Sequence, residues 1–445
     1  MGRKMIVLDD DPTGVQTIHG LSVYTSWDLK ALREAFEEPQ EMFFILTNSR
    51  SFSVEKTICA HREIAANIVQ VSKETGMDFV IICRGDSTLR GHYLLEMDVL
   101  SEAIQELAGT EIDGQIIGPC FFEGGRVTID NIHYLADKGE LVPVGETEFA
   151  RDKTFGFQNS HLGKYVEEKT KGKYKAAECV YFDHKELTDH NIGGLAAKLA
   201  SVSKGSKVIV NAVDYNQLNA FCKVLLIAMN KNKRFIIRSA ASFVKAFGKI
   251  SDQPLLTGEQ LIQKDNKNGG IVIVGSHVNK TTRQLEKLKN AELPVDFIEF
   301  NIQKAIEGSG LESEVESILA KAQGVLRRGR HAVIFTSREV FSSKELNKEE
   351  LLQISVGISD ALSSIVRKLE ITPSFIVAKG GITSSDVAIK GLKVKKALVM
   401  GQIKKGIPVW MTGEESKFPF MPYIIFPGNV GEDSDLREII SELNH

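Results

Sequence analysis

Short apolar runs alternate along the chain with longer stretches in which apolar and polar residues follow a helical spacing. The apolar runs are rich in isoleucine and valine and include MIVL, MFFIL, FVIIC, GQIIG, KVIVNA, RFIIR, GIVIVG, HAVIF, SFIVAKG and KALVMG. The stretch SVEKTICAHREIAANIVQVSKETG is typical of the helical segments between them. Fully apolar strands separated by helices are typical of parallel sheets covered on both faces. The pattern therefore predicts an α/β protein with buried parallel strands and crossover helices.

A polar segment with little periodicity, TGEQLIQKDNKNGG at residues 257–270, interrupts this alternation. Such a segment predicts a linker between two domains, one over residues 1–256 and one over residues 271–445. We expect each domain to be a largely parallel sheet flanked by helices. The length of 445 residues predicts two or three domains, because one domain usually has roughly 100 to 200 residues.

Composition and charge exclude several classes of partner. Hydrophobic residues make up 42% and charged residues 25% of the chain, and the formal net charge is −3. A chain with this balance has no electrostatic footprint for nucleic acid or an anionic membrane. The five cysteines form no Cys-x-x-Cys pair, and no apolar run is long enough to span a bilayer. We expect reduced cysteines and a cytoplasmic location, while a homo-oligomer stays open.

Charged residues follow three of the predicted strands in the first half. Asp9, Asp10 and Asp11 come directly after MIVL, and adjacent like charges need a cation or a ligand to offset their repulsion. Arg50 follows MFFIL, and the segment Arg84–Arg90 follows FVIIC. Ligands of parallel sheets bind at the carboxyl ends of the strands, so these residues are expected to form one pocket.

The residue types of this pocket favour a small hydroxylated acid. Arg50, Arg84 and Arg90 offer rigid donor forks that match a carboxylate with two parallel hydrogen bonds. Asp86 and the hydroxyl of Ser87 can contact the hydroxyl groups of such a ligand. Ser87 is equally suited to capping the next helix, and His92 with Glu96 would bind a metal only with a third ligand, so no metal ligands are assigned.

Glycine turns follow three predicted strands of the second half. The turns are GS after IVIV, KGG after FIVA and PGNVG after YIIF. Backbone amides at such turns and at helix N-termini bind phosphate. The segment from Gly275 to Lys280-Thr281 resembles a Walker loop but lacks its second glycine and is one residue short. Together the turns predict a nucleotide site.

The motifs DDDPTG, RGDSTLRGH, EGGRVT, GSHVNKTTRQ, KGGITSSD and PGNVG occur in this order over nearly the whole chain. In this they resemble the four-carbon acid sugar kinases, formerly a domain family of unknown function. The resemblance implies an N-terminal domain that binds threonate, erythronate or a 3-oxo-tetronate, and a C-terminal domain that binds ATP. It implies sugar contacts from Asp10 or Asp11, Arg50, Arg84, Gly85, Asp86 and Ser87. It also implies nucleotide contacts from Ser276, Gly380, Gly381, Ile382, Thr383, Gly401, Gly428, Asn429, Val430 and Gly431.

The activity that follows is ATP-dependent phosphorylation of the terminal hydroxyl of the acid. Asp10 is expected to be the base that takes the hydroxyl proton, because acidic neighbours should raise its pKa. Asp11 would orient the substrate or hold Mg²⁺, which neutralises charge on the transferred phosphoryl group. The aspartate triplet followed by Pro12 differs from family members with two acids before an aromatic residue, which leaves the individual roles open.

Two other functions are compatible with an α/β chain of this size. An NAD-dependent dehydrogenase is weakened by the lack of a G-x-G-x-x-G motif after any predicted strand. A non-catalytic sensor that binds an acid sugar and a nucleotide would need no base. Measuring ADP release in the presence of four-carbon acids separates these functions from a kinase.

Overall fold

The computed structural model describes residues 2–137, 139–303, 311–337 and 348–444, with only the backbone of 348–353. It divides into two compact units. The first comprises Met1–Thr17 and Ser26–Asp252, and the second comprises Ile18–Thr25 and Gln253–His445. The predicted linker, residues 257–270, lies in the second unit and contains the helix Gly258–Leu261. Within the described ranges, no helix combines the length and apolar character needed to cross a membrane.

The strands of both units are numbered in chain order. They are β1 (Arg3–Asp9), β2 (Ser22–Tyr24), β3 (Met42–Leu46), β4 (Asp78–Arg84), β5 (Gly114–Gly118), β6 (Arg126–Ile129), β7 (Ile132–Asp137), β8 (Glu140–Pro143), β9 (Val180–Phe182), β10 (Ser206–Val210), β11 (Phe235–Ser239), β12 (Ile271–Val274), β13 (Val295–Phe300), β14 (His331–Thr336), β15 (Ile376–Lys379), β16 (Lys396–Lys404), β17 (Ile407–Thr412) and β18 (Pro422–Phe426).

The α-helices are also given in chain order. They are Leu29–Glu37, Val54–Thr75, Leu95–Ala108, Leu162–Lys169, Ile192–Ala200, Tyr215–Asn230, Ala241–Phe247, Gly258–Leu261, Asn279–Lys289, Leu311–Arg327, Lys348–Lys368, Gly381–Asp386 and Asp435–Glu442. The helix Val54–Thr75 shows how the sequence sets these bounds. The side chain of Ser53 accepts a hydrogen bond from the backbone N–H of Lys56 at its start, and Gly76 ends it with a left-handed φ of 67°.

The first unit contains a parallel sheet with the strand order β3-β1-β4-β11-β5-β10-β9. Its central strands are buried on both faces, which explains their unbroken apolar runs. A separate antiparallel sheet, β6-β7-β8, adds a meander that the apolar runs did not predict. Because β1 lies between β3 and β4, the residues that follow these three strands come to the same edge of the sheet.

The second unit contains the strand order β13-β14-β12-β15-β18-β17-β16-β2. The first five strands are parallel, and β18, β17, β16 and β2 pair in antiparallel fashion. Helices Asn279–Lys289 and Asp435–Glu442 contribute Leu285, Leu288, Leu436 and Ile439 to a core that includes sheet residues such as Val274 and Phe426. The predicted fold class, α/β with largely parallel sheets flanked by helices, is confirmed.

One strand prediction is wrong in its direction. KALVMG was expected to form a buried parallel strand, but β16 is antiparallel to both of its neighbours. Along β16, Ala397 and Val399 are buried whereas Leu398 is 41% exposed. A short turn connects β16 to β17, and such a turn joins antiparallel strands only. Buried and exposed residues thus alternate along β16, as in a sheet with one buried face. Counting the apolar residues of the run does not reveal this alternation.

Candidate active site

The aspartate triplet begins at the carboxyl end of β1, and the neighbouring strands hold its backbone. Thr47, just after β3, donates hydrogen bonds from its backbone N–H and its hydroxyl to the carbonyl oxygen of Asp9, each at 2.9 Å. The backbone N–H of Asp10 donates to the carbonyl oxygen of Arg84 at the end of β4, at 3.2 Å. The strand-end prediction thus agrees with the observed backbone, which directs three consecutive acids to one sheet edge.

Arg50 binds two of these acids. Its Nη2 lies 2.6 Å from Oδ1 of Asp10, and its Nε lies 3.2 Å from Oδ2 of the same carboxylate. Its Nη1 donates to Oδ2 of Asp11 at 3.2 Å. Arg50 occupies a short helical turn after Asn48, which adopts a left-handed φ of 54°. A guanidinium in this arrangement fixes the orientation of both carboxylates.

Asp9 and Arg84 form a second, looser pair. Oδ1 of Asp9 lies 3.4 Å from Nη1 of Arg84, and both side chains are buried. The carboxyl group packs so closely on Gly14 that any side chain at that position would overlap it. Burial raises the pKa of Asp9 to about 8, and the negative charges of Asp10 and Asp11 add to the effect that Arg84 opposes. Asp9 is therefore mostly protonated at neutral pH.

The pKa values of the other two acids move in opposite directions. Burial raises the pKa of Asp10, and this effect outweighs the attraction of Arg50. Burial also acts on Asp11, but Arg50 and two hydrogen bonds from Thr13, at 2.8 and 2.5 Å, outweigh it and lower the pKa. The sequence argument attributed a raised pKa of Asp10 to its acidic neighbours, whereas burial is the main cause. The triplet thus combines two acids with raised pKa values, Asp9 and Asp10, with one acid, Asp11, whose pKa is lowered.

The segment after β4 places Asp86 and Arg90 beside this group. Nε of Arg90 donates to Oδ2 of Asp86 at 2.8 Å, and the hydroxyl of Thr88 binds the same oxygen. Asp86 is buried, yet Arg50 and Arg90 hold its pKa well below the ordinary value. The backbone of Ser87 is held by His133, whose Nε2 lies 2.8 Å from the carbonyl oxygen of Ser87. The structure therefore brings together the charged residues predicted for the first-half pocket.

Sequence reasoning missed Arg238 and gave Glu96 no place in the pocket. Arg238 lies near the carboxyl end of β11, beside β4, and is 4% exposed. Glu96 is buried and accepts a hydrogen bond from the hydroxyl of Ser49 at 2.7 Å, with Nε2 of His61 at 3.8 Å. His92, considered with Glu96 as a metal ligand, places its Nε2 3.0 Å from the carbonyl oxygen of Phe52. The strand-end rule would have found Arg238 had it been applied to RFIIR.

In the second unit, the turns after β12, β15 and β18 converge. A side chain on Gly428 would reach within 2.7 Å of Oγ of Ser276, and one on Gly380 would lie 3.3 Å from Cβ of Ser276 and Oγ1 of Thr383. Gly380 has a φ of +120°, a conformation that side chains rarely adopt. The turns thus lie close enough to surround one group of anionic oxygens.

Hydroxyl and ammonium groups hold the convergent turns. Oγ1 of Thr281 lies 3.0 Å from the carbonyl oxygen of Gly428 and 3.1 Å from Oγ of Ser276. Nζ of Lys280 donates to the carbonyl oxygen of Gly431 at 2.9 Å. Lys379, at the end of β15, is buried with its Nζ 3.1 Å from the carbonyl oxygen of Pro427, and sequence reasoning did not single it out.

The remaining residues predicted for the nucleotide site differ in how close they lie to the convergent turns. Gly381 and Ile382 open the helix Gly381–Asp386, and Ile382 is 66% exposed. Asn429 and Val430 follow Gly428, and Nε2 of Gln284 donates to the carbonyl oxygen of Val430 at 3.2 Å. Gly401 lies in β16, which β17 and β18 separate from β15, and its neighbours are Gln253 and Leu256. The convergent turns therefore include the predicted residues except Gly401.

The donor set of the turns fits the phosphates of a nucleotide, since it combines closely spaced backbone amides with three hydroxyl groups. Mg²⁺ prefers carboxylate oxygens and phosphates. Asp11 fits the role of a Mg²⁺ ligand, because its lowered pKa keeps it ionised. Its side chain is also more exposed than that of Asp10, at 19% against 4%. Over the described residues, only Asp130, Asp183 and His184 bring three metal-ligating side chains together, and none of these belongs to the aspartate triplet.

Two family models match most of the chain. A sugar-binding N-terminal domain matches residues 5–247, and a nucleotide-binding C-terminal domain matches residues 271–436. These matches and the two sites define a sugar- and nucleotide-binding protein of α/β fold. The chain belongs to the four-carbon acid sugar kinase family, formerly known as DUF1537. The resemblance found in the sequence is thereby confirmed.

Solved structures with low sequence identity share the fold. A Salmonella typhimurium LT2 protein, provisionally named a tRNA synthase, has 14% identity and a TM-score of 0.69, with 99% of each chain covered. A Haemophilus influenzae protein of the DUF1537 family has 17% identity and a TM-score of 0.66, covering 99% of this chain and 100% of its own. None of the curated proteins compared with the chain matches it significantly.

Proposed function

We propose that the chain is an ATP-dependent kinase that phosphorylates the terminal hydroxyl of a four-carbon acid sugar, such as threonate, erythronate or a 3-oxo-tetronate. The observation that carries the proposal is the environment of Asp10. This carboxylate lies at a sheet edge of the sugar-binding unit, is oriented by Arg50 and has a raised pKa. Phosphoryl transfer to a hydroxyl needs a positioned group that accepts the hydroxyl proton, and Asp10 meets this need.

The three acids of the triplet have different roles in this proposal. Asp10 accepts the proton, because a raised pKa makes a carboxylate a better base near neutral pH. Asp9 is less suited to the task, since a carboxyl group with a pKa of about 8 is mostly protonated already. Asp11 remains ionised and orients the substrate or ligates Mg²⁺. When bound, Mg²⁺ neutralises charge on the transferred phosphoryl group.

The turns of the second unit bind the phosphates of ATP in this proposal. The hydroxyls of Ser276, Thr281 and Thr383 lie close together at these turns, and phosphate oxygens accept hydrogen bonds from such hydroxyls and from turn amides. Lys280 and Lys379 add positive charge beside the turns. A contact of Gly401 with the nucleotide stays a prediction from the resemblance, as does the cytoplasmic location.

The test is ADP release by the full chain with MgATP and a panel of four-carbon acids. We expect ADP with at least one acid, and a loss of roughly 10²- to 10⁴-fold in Asp10→Asn, the range for removal of a general base. Asp189→Asn is the matched control, because Asp189 is an exposed carboxylate paired with Lys223. Binding of an acid without ADP release would favour a sensor and contradict the kinase, as would release that Asp10→Asn leaves unchanged.

A further inference from the structure

The arginines predicted to bind the substrate carboxylate already contact carboxylates of the chain. Arg50 binds Asp10 and Asp11 at 2.6 and 3.2 Å, and Arg90 binds Asp86 at 2.8 Å. Arg84 lies 3.4 Å from Asp9 and 4.0 Å from Asp10. Each of these three guanidinium groups therefore already has a carboxylate of the chain as its contact ion.

Arg238 differs from these three arginines. Its Nη2 donates to the carbonyl oxygen of Arg90 at 3.0 Å, and no carboxylate of the described residues lies within 4.0 Å of its guanidinium. A guanidinium has five N–H donors, so most of those of Arg238 have no acceptor among these residues. Burial lowers the pKa of Arg238, but the fields of Asp10 and Glu96 outweigh it and keep the group charged. A buried charge without a contact ion is costly unless a ligand supplies one.

Two glycines of the segment after β4 accommodate this guanidinium. Any side chain at Gly85 would overlap the guanidinium of Arg238. Gly91 has a φ of +118°, and a Cβ there would lie 3.4 Å from Nη2 of Arg238 and 3.2 Å from Oδ2 of Asp10. The glycines of RGDSTLRG therefore leave space for Arg238, and they place its positive charge near the proposed base.

We propose that Arg238 binds the carboxylate of the acid sugar and is the residue that selects an acid over the neutral polyol of the same length. This inference rests on the proposed function in one respect, that the first unit binds a four-carbon sugar derivative. The fork of a guanidinium that has no contact carboxylate can match that of a ligand with two parallel hydrogen bonds. Arg50 and Arg90 instead keep Asp10, Asp11 and Asp86 in place around the substrate.

The test compares threonate and erythronate with threitol and erythritol, which have CH₂OH in place of the carboxylate. Binding to the full chain is measured by calorimetry without nucleotide, and turnover by ADP release. We expect Arg238→Gln to weaken binding and raise KM for the acids by about 10- to 100-fold, the worth of a charge-assisted contact. Binding of the tetritols should not change. Arg238→Lys, which keeps the charge without the fork, should show a smaller loss for the acids.

Arg234→Gln is the matched control, because Arg234 precedes β11 and pairs with Asp78 at 2.7 Å. It should leave both ligand classes unaffected. If Arg238→Gln does not fold, Arg238→Lys provides the same comparison. Equal losses for acids and tetritols would overturn the assignment, as would a wild-type chain that binds neither class or does not prefer the acids. Acid-selective binding that depends on Arg238 but yields no ADP would refute the kinase and support the assignment.

Discussion

Arg50 contacts Asp10 through both arms of its guanidinium, with Nη2 2.6 Å from Oδ1 and Nε 3.2 Å from Oδ2. This contact fixes the plane of the proposed catalytic carboxylate, and a lysine offers no equivalent fork. We expect Arg50→Lys to lower kcat by about 10- to 100-fold, because each charge-assisted hydrogen bond is worth about 1.5 to 3 kcal/mol. Steady-state ADP release with a saturating acid measures the effect.

Arg33→Lys is the control for this prediction. Arg33 makes a similar two-point contact with Glu74, at 2.8 and 3.1 Å, but both side chains are exposed. Exposed ion pairs contribute little to stability, so both kcat and the free energy of unfolding should stay close to those of the wild type. Equal effects of the two substitutions on kcat would contradict a specific role for Arg50.

The titration of Asp9 predicts a pH dependence of stability. Because the pKa of Asp9 is raised to about 8, the folded chain keeps a proton on Asp9 up to about pH 8, whereas the unfolded chain loses it near the ordinary pKa of 3.8. Between these values the folded state binds more protons, so stability falls as pH rises, by up to about 1.4 kcal/mol per pH unit. Asp9→Asn removes this titration. Urea unfolding between about pH 5 and pH 8 should show the variant gaining stability relative to the wild type as pH rises.

Asp86→Asn supplies a control of opposite sign for the Asp9 experiment. Arg50 and Arg90 lower the pKa of Asp86 despite its burial, so its ionised form stabilises the folded chain. That stabilisation is present above the unfolded pKa and is lost as pH falls through the folded one. We expect this variant to be less stable than the wild type near neutral pH. Parallel curves for wild type and Asp9→Asn would contradict the raised pKa of Asp9.

Gly428 provides a test of the nucleotide site alone. A Cβ at this position would lie 2.7 Å from Oγ of Ser276, closer than van der Waals contact allows. We expect Gly428→Ala to separate the turns and weaken ATP binding by about 10-fold or more, the cost of a modest overpacking. Acid binding to the first unit should not change. Calorimetry with each ligand measures both effects.

Gly357→Ala is the matched control in the same unit. Gly357 lies in the helix Lys348–Lys368, and apart from its chain neighbours and the backbone of that helix, no atom of the described residues lies within 4 Å of the position that its Cβ would take. An alanine there should stabilise the helix by about 0.4 to 1 kcal/mol and leave ATP affinity unchanged. Unaltered ATP affinity in Gly428→Ala would mean that the convergent turns do not form the nucleotide site.

Gly85→Ala tests the space that Arg238 needs. The added methyl group would overlap its guanidinium, so we expect a loss of about 1 to 3 kcal/mol in the free energy of unfolding, or a displaced arginine with weakened acid binding. Gly193→Ala, in the helix Ile192–Ala200 with open space around the glycine, is the control and should show neither effect. Urea unfolding and calorimetry with the acid measure the two outcomes. Wild-type behaviour in both assays would contradict the packing.

The apolar runs predicted the central strands well because a strand buried on both faces needs apolar residues at every position. The same criterion failed where burial is one-sided. In β16, Leu398 is 41% exposed although the run looks continuous, and direction depends on the turn to β17. The strands β6, β7 and β8 are only partly buried, so their sequences lack the signal altogether.

The charged residues of the candidate site were predictable where they lie at the end of a strong strand or within four residues of it, as Asp10, Arg50 and Arg84 do. Their partners were not, since the sequence does not tell which arginine pairs with which acid. The role proposed for Arg238 depends on the lack of a carboxylate of the described residues within 4.0 Å of its guanidinium. Only the folded chain shows such a property. For Gly401 the sequence offered only the resemblance. Because this glycine lies inside β16 and not at the end of a strand, the strand-end rule could neither support nor oppose a nucleotide contact.

The eight residues Ile18–Thr25 leave the first unit and supply β2 to the sheet of the second, where Lys396, Ala397 and Leu398 pair with it. A fragment that starts at Gln253 would therefore lack one strand and leave the backbone of β16 open along that side. Such an unprotected edge invites association between copies. A recombinant second unit would accordingly need the segment Ile18–Thr25 restored to it.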